Sequence, residues 1–165
     1  MIVVGIDPGL SGAVAVFDLA NKVLAVHDMP TMTVRSGKSD KRQLSEPLLA
    51  AILRRVKPEH AYLEFVSAMP GQGVTSMFNF GVGYGAIRGI LAALEIPMST
   101  VTPGKWQRDL GLAKGKDANR ARAAQLFPDV ANMFVRVKDD GRADAALIAY
   151  WGAQQSYMSF LAKGV

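Results

Sequence analysis

The chain is predicted to fold as a single α/β domain over residues 1–165, a five-stranded mixed sheet flanked by helices. Three observations predict it. Apolar runs rich in Val, Ile and Ala recur at short spacing over 2–7, 12–18 and 22–28; connections of a few residues join antiparallel neighbours, so these runs read as a meander. From residue 45 onward the pattern becomes helix, strand, helix, strand, helix, the alternation that places helices on the faces of a sheet. Finally, 165 residues, half of them apolar, suffice for one full core and not for two large ones.

The first strand is the run Ile2-Val3-Val4-Gly5-Ile6 closed by Asp7, with Pro8-Gly9 ending it at once. Gly9-Leu10-Ser11-Gly12 supplies the first turn and Leu19-Ala20-Asn21-Lys22 the second, both of turn-favouring composition. The segment 31–41 is polar and basic and is expected to be a mobile loop. Over 45–56, Leu48, Leu49, Ile52, Leu53 and Val56 share one helical face. A fourth strand runs through His60-Ala61-Tyr62-Leu63 to Glu64, and Phe65-Val66 extends it. A loop over 67–73 leads to a long helix over 74–94, and 98–101 gives the fifth strand. Helices over 103–110 and 117–126 precede a final one over 140–160. No internal repeat, low-complexity tract or linker interrupts the chain.

Composition narrows the chemistry. The chain has no cysteine, which excludes disulfides and thiolate-bound zinc or iron–sulfur sites. Only His27 and His60 are available as imidazole ligands. No apolar stretch approaches membrane-spanning length and no secretory leader is visible, so an intracellular, reducing setting without membrane contact is expected. The net charge is +5, which points to a polyanionic partner, although many basic proteins bind no nucleic acid.

Four acids carry most of the information. Asp7 and Glu64 end two apolar strands; Asp140 and Asp144 stand four apart at the start of the last helix, hence on one face of it. Carboxylates at strand ends and on a facing helix can converge on an oxygen-lined hole, which suits Mg²⁺, with Mn²⁺ as an alternative. That is the layout of a metal-dependent phosphodiester hydrolase. Each acid also has a plainer reading. Asp7 before Pro8-Gly9 could only initiate a turn. Glu64 between Leu63 and Phe65 could be neutralised by an Arg, because an unpaired buried charge is costly. Asp140 could be only a helix cap, a role Asp139 would fill equally well.

With these residues in place the chain resembles the RuvC-type Holliday-junction resolvases of the RNase H-like superfamily. The matching segments are Gly5-Ile6-Asp7-Pro8-Gly9, the strand ending in Glu64, and Asp140-Gly141-Arg142-Ala143-Asp144-Ala145-Ala146-Leu147-Ile148-Ala149. Bacterial members usually set their last two acids three positions apart; here they are four apart, as in fungal mitochondrial, chloroplast and some phage relatives. The resemblance implies an RNase H-like fold with its active site where the first and fourth strands adjoin, facing the last helix. It implies a homodimer that cuts opposed strands of four-way junction DNA, leaving 5′-phosphate and 3′-hydroxyl ends. Two Mg²⁺ ions about 3.5–4 Å apart would be shared among Asp7, Glu64, Asp140 and Asp144, with Asp7 bridging. The setting implied is the cytoplasm of a bacterial or phage-infected cell.

Segment 101–142 holds nine of the nineteen Lys and Arg residues. Lys105, Lys114, Lys116 and Arg142 are the candidate DNA contacts, Lys114-Gly115-Lys116 foremost because glycine admits a close strand. Trp106 reads as packing ahead of base stacking. Gly81, Gly85 and Gly89 recur every four residues on the long helix; each mid-helix Gly costs about 1 kcal/mol, so close packing against the sheet or a close crossing in a dimer should account for them. In the 67–73 loop, Met69 is the candidate to wedge between junction bases, with Phe65 the alternative if it is not core. Other functions are an RNA–DNA hybrid nuclease, a transposase, an acetate-kinase-like half-domain and a non-catalytic DNA binder. The transposase lacks room for end-recognition domains and the kinase lacks a second Gly-rich loop. A binder would not need four acids.

Overall fold

A computed structural model describes residues 1–37, 39–67, 71–113 and 115–162. The meander is β1 (Ile2–Asp7), β2 (Ala13–Asp18) and β3 (Val23–Asp28), all antiparallel neighbours. On the other side of β1 lie β6 (His60–Glu64) and β7 (Met98–Val101), each parallel to its neighbour. The sheet order is therefore β3-β2-β1-β6-β7, the five-stranded mixed sheet expected, with β1 at its centre and β6 beside it.

Side chains alternate faces along a strand, and that parity sorts the core into two layers. Val4, Ile6, Ala61 and Leu63 face α1 (Glu46–Val56) and α2 (Val74–Ala93), where they pack on Leu49, Leu53, Ile87 and Leu91. Val3, Ala15, Phe17 and Tyr62 face the last helix, α5 (Asp140–Ala162). Gly5 and Gly152 let α5 sit directly on the sheet. A Cβ at Gly5 would fall 2.3 Å from the Ala145 carbonyl oxygen, and one at Gly152 would strike the Tyr62 ring at 2.1 Å. Outside α5 lie α3 (Pro103–Asp109) and α4 (Lys116–Leu126), so α5 is buried on most sides from Gly141 to Ala153.

One expectation is overturned. The segment 31–41 is not a mobile loop; β4 (Thr31–Ser36) and β5 (Ser39–Leu44) pair antiparallel as a separate two-stranded sheet. Leu44 is buried and anchors the base, which the Ser45 N–H closes by donating to the Pro30 carbonyl at 2.8 Å. Arg42 donates to the Leu10 carbonyl (2.8 Å) and to Ser11 Oγ (3.0 Å), tying the hairpin to the β1–β2 turn.

Candidate active site

Strand parity and register bring the acids together. Residues 3, 5 and 7 of β1 face α5, as do residues 62 and 64 of β6. Ile6 is level with Leu63 in the parallel β1–β6 pair, so Asp7 and Glu64 end adjacent strands at one level on one face. Strands in a sheet lie about 4.8 Å apart. The N-terminus of α5 is pressed onto this corner: a Cβ at Gly141 would lie 2.5 Å from the Ser11 carbonyl oxygen and 2.9 Å from Asp7 Oδ2. Gly141 follows Asp140 directly, and Asp144 stands one turn further along the helix. The α5 N-terminus also offers the favourable end of its dipole to negative charge.

Each acid has an identifiable neighbour. Asp7 Oδ1 accepts the Gly9 N–H at 3.1 Å, so it does form the turn bond of the plainer reading, while its other oxygen faces α5. Glu64 Oε1 accepts from the Trp106 indole N–H at 3.1 Å. The neutral Trp106 indole is thus one partner of Glu64, beside the Arg neutralisation that the sequence left open. Trp106 is fully buried; it packs and orients, and cannot stack on a base. Asp144 Oδ1 accepts from Asn119 Nδ2 at 2.7 Å. Arg120, the next residue on α4, bridges Asp140 and Asp117, and these carboxylates hold its guanidinium more firmly protonated than usual. Asp139 closes the short 3₁₀ turn Val137–Asp139 that runs into α5. Asp139 is 1% exposed, takes the Arg136 backbone N–H at 2.9 Å and is bonded by the Arg136 and Arg142 guanidiniums. The Arg136 hydrogen bonds keep its carboxyl below the ordinary range.

The donor set fits a hard divalent cation: four carboxylates on three elements, with glycines at 12 and 141 leaving room beside Asp7. Among the described residues no three carboxylates or imidazoles stand close enough to hold an ion as they are, so a cation would have to draw the side chains inward. Asn119 is 3% exposed and its Oδ1 has no partner among the described residues.

The expected DNA contacts divide. Lys105 is half-exposed on α3 but bonds Asp109 at 2.8 Å and lies 5.6 Å from the Trp151 ring centroid. Arg142 donates to both Asp28 oxygens at 2.5 and 2.6 Å and also to Asp139, and is only 18% exposed. The expectation of Arg142 as a DNA contact does not suit this placement; its charge is spent joining β3 to α5. Lys114 and Met69 lie outside the described residues, and so does the side chain of Lys116, whose backbone begins α4. Phe65 is 44% exposed beside Glu64, so it is not core and remains available as the wedge. Asn119 escaped the sequence reading, and Arg120 entered it only as one of the nine basic residues of 101–142. The available signal was a buried-face Asn in line with Ala123 on α4.

No family model matches the chain. It is 31% identical over 150 residues to the chloroplastic Holliday junction resolvase MOC1 of Chlamydomonas reinhardtii, an alignment covering 78% of this chain and 17% of that longer protein. Among solved structures it resembles Thermus thermophilus RuvC in complex with a Holliday junction substrate, at 16% identity, 96% coverage of both chains and a TM-score of 0.67. It also resembles the yeast mitochondrial Holliday junction resolvase Ydc2, at 16% identity, 99% and 84% coverage and a TM-score of 0.54. The chloroplastic address of MOC1 does not match the bacterial or phage setting expected from the sequence. Among the described residues no helix is long and apolar enough to cross a membrane. In sequence the chain is thus similar to an organellar resolvase, MOC1, and in fold to the RuvC-type Holliday-junction resolvases.

Proposed function

We propose that the chain is a structure-selective endonuclease that resolves four-way DNA junctions as a homodimer, by metal-dependent hydrolysis giving 5′-phosphate and 3′-hydroxyl ends. The observation that carries this reading is the register that sets Asp7 and Glu64 side by side beneath the Asp140–Asp144 face of α5. Asp7, Glu64, Asp140 and Asp144 would hold the cation, Mg²⁺ or Mn²⁺. Bound there, divalent cations supply an activated water and charge stabilisation at the leaving oxygen. The protein's own residues do the positioning. Trp106 fixes one oxygen of Glu64, and Asn119 one of Asp144. Arg120 balances the charge of Asp140 until a cation or phosphate competes for it. Lys105, Lys114 and Lys116 would supply phosphate contacts, and Phe65 or Met69 the wedge.

The homodimer reading is supported by the outer face of α2. Phe78 is 71% exposed and Val74 and Val82 are also in solvent, in line with Gly81, Gly85 and Gly89. A Cβ at any of these three glycines would meet nothing within 4 Å, so packing against the sheet does not account for the stripe. A second copy crossing closely there would. The test is cleavage of a synthetic four-way junction, a linear duplex and an RNA–DNA hybrid with Mg²⁺ or Mn²⁺, with the cuts mapped. Paired cuts at the junction alone are expected; preferential hybrid cleavage would favour the rival nuclease, and no cleavage of any substrate would reject the proposal.

A further inference from the structure

The hairpin found where a loop was expected borders a cleft of about 480 Å³ between β5 and α2. Four consecutive β5 residues, Lys41, Arg42, Gln43 and Leu44, line it. Successive side chains point to opposite faces of a strand, so only the free edge of β5 can present four in a row. Such an edge also offers unpaired backbone N–H groups. Ser76 and Asn79 stand on the α2 wall, and the cleft ends at Pro8, next to Asp7. Among the described residues of the lining, Glu46 is the one carboxylate, against Lys41 and Arg42. The volume lies within the roughly 300–1,000 Å³ of ordinary ligand clefts, room for a nucleotide-sized segment of chain.

The hairpin is also tied to the turn that borders the acids. Arg42 holds Ser11 Oγ at 3.0 Å, and the Ser11 carbonyl oxygen is the atom against which Gly141 of α5 packs. A phosphate held against β5 is therefore held at a fixed place relative to Asp7 and Asp140.

Resting on the function proposed above, we infer that this cleft is the track for the phosphodiester backbone of the DNA strand running toward the acids, with Lys41 as a phosphate contact and Arg42 fixing the track to the site. The test uses two variants exposed enough to fold, Lys41→Gln and Ser76→Trp, the second filling the cleft without touching charge. Anisotropy of a fluorescein-labelled four-way junction, without divalent cation and over a range of monovalent salt, reads binding. Lys41→Gln should lower the slope of log affinity against log salt by about 0.9, the contribution of one duplex phosphate contact, while Lys41→Arg keeps it. Ser76→Trp should weaken junction binding by roughly tenfold, as for one or two lost phosphate contacts. An unchanged slope in Lys41→Gln with wild-type affinity in Ser76→Trp overturns the inference, melting curves having shown both variants folded. Wild-type protein that neither binds nor cuts junctions would instead overturn the function on which it rests.

Discussion

Gly141→Ala puts the packing of the site to a quantitative test. In an open helix the change stabilises by about 1 kcal/mol, because Ala is the better helix former. Here the added methyl would stand 2.5 Å from the Ser11 carbonyl oxygen and 2.7 Å from Gly12 Cα, both backbone atoms, and 2.9 Å from Asp7 Oδ2. Ordinary carbon contacts need about 3.5 Å, so the start of α5 must retreat from the β1–β2 turn by about an ångström. Overpacking of this kind costs about 1–3 kcal/mol, which exceeds the helix gain. For a chain of this size each kcal/mol moves Tm by about 2–4 °C, so a fall of a few degrees is expected. The retreat also carries Asp140 and Asp144 away from Asp7, and a misplacement of an ångström in a catalytic constellation costs on the order of 100-fold. Calorimetric melting and single-turnover junction cleavage read the two effects. A variant that melts at or above the wild-type temperature and cuts at the wild-type rate would refute the close seating of α5 on the turn.

Gly85→Ala makes the opposite case, since nothing lies within 4 Å of the new methyl: the isolated fold should gain up to about 1 kcal/mol, while sedimentation should show a weaker dimer. A lower melting temperature without any change in association would contradict the open face. Asn119→Ala should reduce cation affinity or activity by about 10–100-fold, as loss of an outer-shell partner does; titration calorimetry with Mn²⁺ reads this, and unaltered affinity would make Asn119 irrelevant to the site. Asp28 and Asp139 are held below the ordinary carboxyl value of 3.8, by Arg142 and Arg136 respectively. Their folded values are depressed, so their stabilisation is present above that value and is lost as pH falls through the lower folded ones. Asp139→Asn should flatten the acid limb of a stability–pH curve below pH 3.8, and an unchanged limb would show that the pairing contributes nothing.

Much of the fold was legible because its signal is local. The β1 run ends in Asp7, the β6 run ends in Glu64, and the i, i+4 pair on α5 can be read from spacing alone. Strand parity, which aims Asp7 and Glu64 at α5, also follows once the strands are recognised. What escaped depends on partners distant in sequence. Arg142 looked like a free cation because Asp28, its carboxylate, lies 114 residues away. Asn119 is tied to Asp144 across 25 residues, and within α4 only its alignment with Ala123 marks it. The β4–β5 hairpin hid behind polar composition: most of its side chains face solvent, and cross-strand pairing with the Leu44 anchor holds it, so no apolar alternation marks it. Phe65 sits in an apolar run yet is exposed, because β6 ends at Glu64 and the run continues past the sheet.

In the proposed enzyme four carboxylates form one catalytic centre on a DNA-binding surface made by other residues. Asp7→Asn, Glu64→Gln, Asp140→Asn and Asp144→Asn, each assayed for junction cleavage and for junction binding, test it most directly. Every one of the four should abolish cleavage with Mg²⁺ while binding stays close to wild type, because affinity comes from basic contacts and not from the acids. Full cleavage by the Glu64→Gln protein, or binding lost in step with cleavage across the set, would contradict it.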